Sequence, residues 1–239
     1  MKRVLISGGS RGIGAALVRA FAADGARVAF LYRADEAAAR AVAAETGAIP
    51  LQCDVSSPDA VRRAVREATV ALEGTVDIFV GNAGVSSIAL SRDTTDEEWR
   101  RVLDTNLSGQ FYLARELQGA MIAEGWGRMV FIGSMWGKVG ASCEVAYSAS
   151  KAGLRGLSMA LAKELGPSGI TVNCVEPGVI DTEMNAALDA DTRAALVEAT
   201  PLCRIGTAAD VVAAVRFFAS DEAGFITGQC LGVDGGFAV

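Results

Sequence analysis

The sequence predicts an α/β fold: a doubly wound, mostly parallel seven-stranded sheet with helices on both faces, in one domain spanning residues 1–239. Three observations predict it. Seven short, β-branched runs alternate with longer Ala-rich segments of helical periodicity along the whole chain. Most of the short runs are continuously apolar, as strands are when both sheet faces are covered. No repeat, low-complexity tract or Pro/Ser linker divides the sequence.

The first strand is expected at 3–7, where Gly8-Gly9 ends the apolar run, and a helix follows over 13–23. Strands at 27–32 and 48–53 come next. Ser57-Pro58 then places proline at the first position of a helix over 59–72. A strand at 77–81 leads to Thr94-Thr95-Asp96-Glu97-Glu98, which caps a long helix over 96–124 and loads its first turn with acid. Strands at 128–132, 171–175 and 231–233, with helices over 147–165 and 208–219, complete the alternation. The stretch 182–206 breaks the rhythm with acidic and Ala-rich residues before Pro201. It is too long for an ordinary αβ connection and is expected to form a substrate lid with its own short helix.

Composition narrows the chemistry. The chain contains no histidine, which excludes a Ser-His-Asp triad, a histidine base and a histidine-ligated zinc within it. No metal site is expected. Proton transfer must come from Tyr, Lys, Cys or a carboxylate. The net charge of -6 argues against nucleic acid or an anionic membrane as partner. The five cysteines are odd in number, scattered and without a C-x-x-C, the pattern of reduced cytoplasmic thiols. The run after Val4 ends too early for a signal-peptide core, and no stretch approaches the ~18 apolar residues of a membrane span.

Ser7-Gly8-Gly9-Ser10-Arg11-Gly12-Ile13-Gly14 lies between the first strand and the first helix. Gly8 permits the tight turn, Gly12 lets backbone approach a pyrophosphate, and Gly14 allows close helix–strand packing. The phosphates then sit on the helix N-terminus, where free N–H groups and the dipole favour anions. The spacing is G-x-x-x-G-x-G, and its position marks a Rossmann-type dinucleotide site. Sites for NAD end the second strand with a carboxylate for the ribose 2′-hydroxyl. Here the strand ends Tyr32-Arg33, with no acid until Asp35. Arg33, with Arg11 in the glycine loop, suits a 2′-phosphate, so NADP(H) is the expected cofactor.

Tyr147 and Lys151, four residues apart, share a helix face. Ser134 follows the strand at 128–132, at the carboxyl end where such sheets bind ligands. With an ordinary pKa near about 10, a tyrosine hydroxyl acts as an acid at neutral pH, and a nearby ammonium draws that value down.

Gly8-x-x-x-Gly12-Ile13-Gly14, Cys53-Asp54-Val55, Asn82-Ala83-Gly84, Asn106, Ser134, Tyr147-x-x-x-Lys151 and Pro177-Gly178 together resemble the short-chain dehydrogenase/reductase family over essentially the full length. The resemblance implies that Tyr147 protonates the carbonyl oxygen as hydride arrives from the nicotinamide, and that Ser134 hydrogen-bonds that oxygen. It implies that Lys151 binds the nicotinamide ribose and lowers the tyrosine pKa, and that Asn106 anchors a water in the proton relay. Asp54 and Val55 would border the adenine, Asn82, Ala83 and Gly84 would line the cofactor groove, and Ile180 and Thr182 would hold the carboxamide. Three positions depart from the pattern: Ser7 replaces a threonine, Gly81 a first asparagine, and Glu176 a small residue. Glu176 is expected at the cleft rim, solvated or touching substrate.

Asp96-Glu97-Glu98-Trp99, Gly169-Ile170-Thr171-Val172-Asn173, Ala219-Ser220-Asp221-Glu222-Ala223 and Gly232-Val233-Asp234-Gly235-Gly236 are similar to bacterial 3-oxoacyl-acyl-carrier-protein reductases. That implies a ketone carried on an acidic carrier protein, docked by basic residues at the mouth. Arg128 matches one such position, whereas Ser168 stands where a second base is common. The acidic net charge and Asp181, Glu183, Asp189 and Asp191 of the lid oppose such steering. The run from Ser134 through Trp136 to Glu144 and Tyr147 also resembles elongation factor P 5-aminopentanone reductases. Glu144, Glu176 and Glu183 would suit their cationic substrate, or are ordinary helix N-terminal and rim carboxylates. Trp136 is expected to wall the pocket or pack its loop, and Cys143 to be inert for want of an adjacent base. A sugar or hydroxysteroid substrate, and a non-catalytic NADP(H) sensor, are the remaining alternatives. The resemblance further implies a homotetramer assembled through the helices over 96–124 and 147–165 and the C-terminal segment; Arg100, Arg101 and Glu116 on the first helix otherwise form a solvated face.

Overall fold

Continuously apolar strands pair most stably where both faces are covered, and the chain satisfies this with one sheet. Its strands are β1 (Arg3–Ser7), β2 (Arg27–Tyr32), β3 (Ile49–Gln52), β4 (Ile78–Gly81), β5 (Gly127–Ile132), β6 (Ile170–Pro177) and β7 (Cys230–Val233). They run in the order β3-β2-β1-β4-β5-β6-β7, and every pairing is parallel. The computed structural model describes residues 1–186 and 188–239, with Met184 described by its backbone alone.

The helices are α1 (Gly12–Ala23), α2 (Glu36–Thr46), α3 (Pro58–Ala71), α4 (Asp96–Leu103), α5 (Gly109–Glu124), α6 (Trp136–Val139), α7 (Val145–Leu165), α8 (Ala190–Ala199) and α9 (Ala208–Ala219). Alternation along the strands divides the core in two. Leu5, Phe79, Met129 and Phe131 pack against Ala64, Leu113 and Leu154 of α3, α5 and α7. Val4, Ile6, Val80 and Val130 pack on the other face against Leu17, Phe21, Val211 and Phe218 of α1 and α9. The strand order reverses between β1 and β4, so the crevice for a ligand opens at their carboxyl ends.

Three features depart from the sequence expectations. The helix over 96–124 is interrupted by a π-helical turn at Asp104–Ser108 that carries the buried Asn106. Such bulges recur at functional sites. β6 extends two residues beyond the predicted 175, because Glu176 and Pro177 pair with Gly232 and Val233 of β7. Between β2 and β3 lies α2, capped by Asp35 accepting from Ala38 N and ended by left-handed Gly47. Of the expected lid, residue 187 lies outside the described residues. The remainder holds a 3₁₀ turn at Glu183–Asn185 and α8, whose side chains all stay at least partly exposed.

Arg128 corrects a further expectation. It is the second residue of β5, at the amino end of a parallel strand, so it lies at the opposite end of the sheet from Ser134 and cannot flank the mouth. Only 4% exposed, it donates to the carbonyls of Ser220 (3.2 Å) and Gly127 (3.0 Å) and stacks 4.3 Å above the Trp126 ring. Arg128→Ala, which removes these bonds and the packed stem, is expected to cost about 2 kcal/mol in urea unfolding. A docking residue would leave the midpoint unmoved.

Candidate active site

The turn after β1 closes only with glycine. At Gly8 (φ +69°) a Cβ would stand 2.8 Å from Ala83 Cα, and at Gly14 it would meet the Gly8 carbonyl oxygen at 2.0 Å. A hydroxyl network clamps this turn to the exit of β4. Ser7 Oγ accepts from the amides of Asn82 and Ala83 (both 2.9 Å) and donates to Gln110 Oε1 (3.2 Å). Asn82 Nδ2 donates to the carbonyls of Ser7 and Gly8, and Gln110 Nε2 to that of Ala83. The serine thus does the work of a threonine hydroxyl. Gly81 leaves room for Gln110, since a Cβ there would lie 2.8 Å from Gln110 Oε1 and 2.6 Å from Phe131.

Beyond the turn, Ser10, Arg11, Gly12 and Ile13 enter α1. Among the described residues, its first turn has neither an acidic side chain nor a side-chain cap. Its leading N–H groups are therefore available to an anion, and the glycine-walled cradle fits a pyrophosphate. Arg33 is exposed just past β2, and Arg11 reaches to 3.8 Å from Asp35. Past β3, Asp54 accepts from the Ser56 amide and hydroxyl, while Val55 is buried beneath Gly109 of α5.

The chemical groups gather at the carboxyl end of β5. Lys151 is 4% exposed, and its Nζ donates to the carbonyl of Ile132 (2.8 Å), two residues before Ser134. The same Nζ lies 5.6 Å from the centre of the Tyr147 ring. A Cβ on Gly84 would lie 3.5 Å from Lys151 Nζ and 3.3 Å from Asn106 Oδ1, so Gly84 marks where these groups converge with the groove. Asn106 clasps Val85 through both main-chain groups and donates to Ser150 Oγ (3.0 Å). Ser150 in turn donates to the Tyr147 carbonyl. Pro177 accepts from the Met135 amide, and Gly178 passes so close to Asp234 that a Cβ would lie 2.8 Å from its Cα. Buried Ile180 offers its carbonyl to Asn185 Nδ2 (2.8 Å) and Thr182 Oγ1 (3.5 Å). Gln110, Ser150 and Asn185 were not anticipated from sequence.

The family described as Enoyl-(Acyl carrier protein) reductase matches residues 8–238. The chain belongs to the short-chain dehydrogenase/reductase family. It is 39% identical over 238 residues to the 3-oxoacyl-[acyl-carrier-protein] reductase MabA of Mycobacterium bovis, covering 100% of this chain and 93% of that protein. It is 42% identical over 237 residues to the corresponding FabG of Escherichia coli (strain K12), covering 98% and 96%. A crystal structure from Sinorhizobium meliloti 1021, assigned as a short-chain alcohol dehydrogenase, superposes with a TM-score of 0.93 at 36% identity, covering 99% and 96%. As a short-chain dehydrogenase/reductase the chain is an oxidoreductase acting between CH–OH and C=O groups with a nicotinamide cofactor.

Electrostatics corrects the expected tuning of this dehydrogenase/reductase site. Part of Tyr147 faces the cleft, yet burial pushes its hydroxyl up to about 12, Ser134 draws it back in part, and Glu144 adds to the rise. The ammonium does not win this contest in the protein alone; desolvation of the phenolate does. Tyr147 therefore rests as the phenol, the form that gives a proton. Lys151 is itself brought down to about 8 by burial.

The three glutamates do not form one pocket. Glu144, half-buried beside Tyr147, has its carboxyl pushed up by burial. Glu176, expected at the rim, is 2% exposed and paired with Arg155. Glu183 reaches over the glycine turn, 3.5 Å from where a Gly12 Cβ would stand. Trp136 packs edge-on against Phe237 at 5.5 Å, tying the loop after Ser134 to the C-terminal segment. Cys143 is half-buried in a left-handed conformation (φ +65°).

Because the Lys151 value lies below its ordinary 10.5, the ammonium is present below about pH 8 and lost above it. Ketone reduction, measured as kcat/KM for the cofactor, is expected to fall as pH rises through that value. Lys151→Arg, charged throughout, should lack this alkaline limb. A wild-type profile flat from about pH 7 to about pH 9 would contradict the assignment.

Proposed function

We propose that the chain reduces a 3-oxoacyl group, presented as a carrier-protein thioester in fatty acid synthesis, to the 3-hydroxyacyl product with NADPH. The observation that carries this reading is the half-buried phenol of Tyr147 beside Ser134 and Lys151, next to a glycine cradle. The two full-length relatives named as 3-oxoacyl reductases support the substrate class. Exposed Arg33, and the lack of a carboxylate at the end of β2, support NADPH.

Bound nicotinamide supplies hydride to the carbonyl carbon. Ser134 Oγ donates a hydrogen bond to the carbonyl oxygen, and Tyr147 Oη delivers a proton to it. The Lys151 ammonium offsets the charge of the phenolate left at Tyr147, while Asn106 holds the segment at Val85 and the Ser150 hydroxyl in place. Gly8, Ser10, Gly12, Ile13 and Gly14 take the pyrophosphate; Arg33, with Arg11, takes the 2′-phosphate. Asp54, Val55, Asn82, Ala83 and Gly84 line the groove, and Pro177, Gly178, Ile180 and Thr182 hold the nicotinamide end. In this proposal residues 1–239 act as one domain with a lid over 182–206. Exposed Trp99, Phe111 and Met159 on α4, α5 and α7 support assembly into a homotetramer.

A second reading rests on Glu144. A half-buried carboxylate beside the proton donor suits a cationic amino ketone, as on 5-aminopentanone-modified elongation factor P. Comparing that protein with an acetoacetyl carrier thioester separates the two. We expect faster reduction of the thioester, and Arg33→Ala should raise KM for NADPH about tenfold with little change for NADH. Faster reduction of the amino ketone, abolished by Glu144→Gln, would replace the first reading. Equal use of NADPH and NADH by the wild type would overturn the cofactor assignment.

A further inference from the structure

We propose that Cys174 and Cys230 are a redox-active thiol pair beneath the active site, which a peroxide closes to a disulfide and so slows turnover. Cys174 of β6 and Cys230 of β7 are direct partners in parallel register. Their side chains therefore leave the sheet on the same face, under α7. The two Sγ atoms and a Glu176 carboxylate oxygen all lie within 4.8 Å of one another. Neighbouring strands run about 4.8 Å apart, within the Cα separations that a disulfide spans. The other free cysteines, Cys53, Cys143 and Cys203, are far from this pair in sequence and lie on other elements.

The two thiols are unequal in a way that suits sequential attack. Cys230 is half-buried on a four-residue edge strand, and its thiol is held down by hydrogen bonding from Cys174 and by the Arg155 guanidinium. Cys174 is fully buried, and its thiol is held up by that bond and by desolvation. The Cys230 thiolate attacks the peroxide: an S–O bond forms, the O–O bond breaks, and the leaving oxygen takes a proton. Cys174 then attacks the Cys230 sulfur, forming S–S and expelling hydroxide, which leaves as water with the Cys174 proton. Two thiols and one peroxide give one disulfide, one alcohol or water from the peroxide, and one water. The sulfurs lose two electrons and the peroxide gains them. A dithiol reverses the step.

The pair is mechanically joined to the proton donor. A Cβ on Gly133 would lie 2.8 Å from Cys174 Sγ, and the Gly133 amide donates to the carbonyl of Val175 (2.7 Å). Gly133 sits between Ile132, whose carbonyl holds Lys151, and Ser134. Drawing Cys174 toward Cys230 therefore displaces the segment that sets Lys151 against Ser134.

The test treats the reduced enzyme with hydrogen peroxide, maps disulfides by non-reducing proteolysis and mass spectrometry, and follows ketone reduction in parallel. We expect a Cys174–Cys230 linked peptide, loss of two of the five free thiols, and a fall in turnover of about tenfold that a dithiol restores. Cys230→Ser should keep its turnover before and after peroxide and give no linked peptide. Absence of the linked peptide from the wild type would overturn the proposal, whichever ketone the enzyme takes. A linked peptide with unchanged turnover, or equal peroxide inactivation of Cys230→Ser, would overturn the coupling to Lys151.

Discussion

An ammonium removed from water survives only where protein acceptors stand in for the lost hydration. Lys151 finds such an acceptor in the carbonyl of Ile132, the last residue of β5. That bond fixes the phase of α7 against the sheet. Tyr147, one turn earlier on α7, then faces the cleft, and Ser134, two residues past the strand end, is carried to the same place. The residual burial leaves Lys151 easier to deprotonate than a surface lysine and Tyr147 harder. The pair is thus a half-buried phenol, held in its protonated form, beside a marginal cation.

The rest of the architecture keeps that arrangement beside the cofactor groove. Parallel pairing brings the carboxyl ends of β1, β4, β5 and β6 to one side. The Ser7 hydroxyl and the Gln110 amide lock the glycine turn to the segment after β4. Asn106, set inward by the π turn, joins that segment to α7 through Val85 and Ser150. Hydrogen bonds therefore tie the glycine turn to the exit of β4, and Asn106 ties the next residues of that segment to α7, which carries Tyr147. Gly84 stands at the junction, where a side chain would meet both Asn106 and Lys151.

Much of this was legible in the sequence because it depends on local rules. Apolar runs such as 128–132 read as buried strands, and Gly8, Gly12 and Gly14 read as a cradle from their spacing between the first strand and the first helix. Three outcomes needed tertiary information. The helical run over 96–124 gives no sign of the turn at Asp104–Ser108, since a π bulge adds one residue without ending the helix. The rise at Tyr147 comes chiefly from burial by the packed fold, which the i,i+4 spacing to Lys151 does not reveal. Glu176 looks like a rim carboxylate until Arg155, a distant partner on α7, is placed over it. Arg128 is different: its position at the start of a strand whose end leads to Ser134 already put it at the far end of the sheet. Gln110, Ser150 and Asn185 left no signal, because a polar residue in a helical or loop pattern reads as solvated.

The central claim is that the Tyr147 phenol is the proton donor for ketone reduction. Single-turnover reduction by Tyr147→Phe, followed through NADPH absorbance alongside the NADPH dissociation constant, tests it most directly. The predicted result is a loss of about 10²- to 10⁴-fold in rate, with the dissociation constant changed by less than about twofold. A rate within a few-fold of wild type would contradict it.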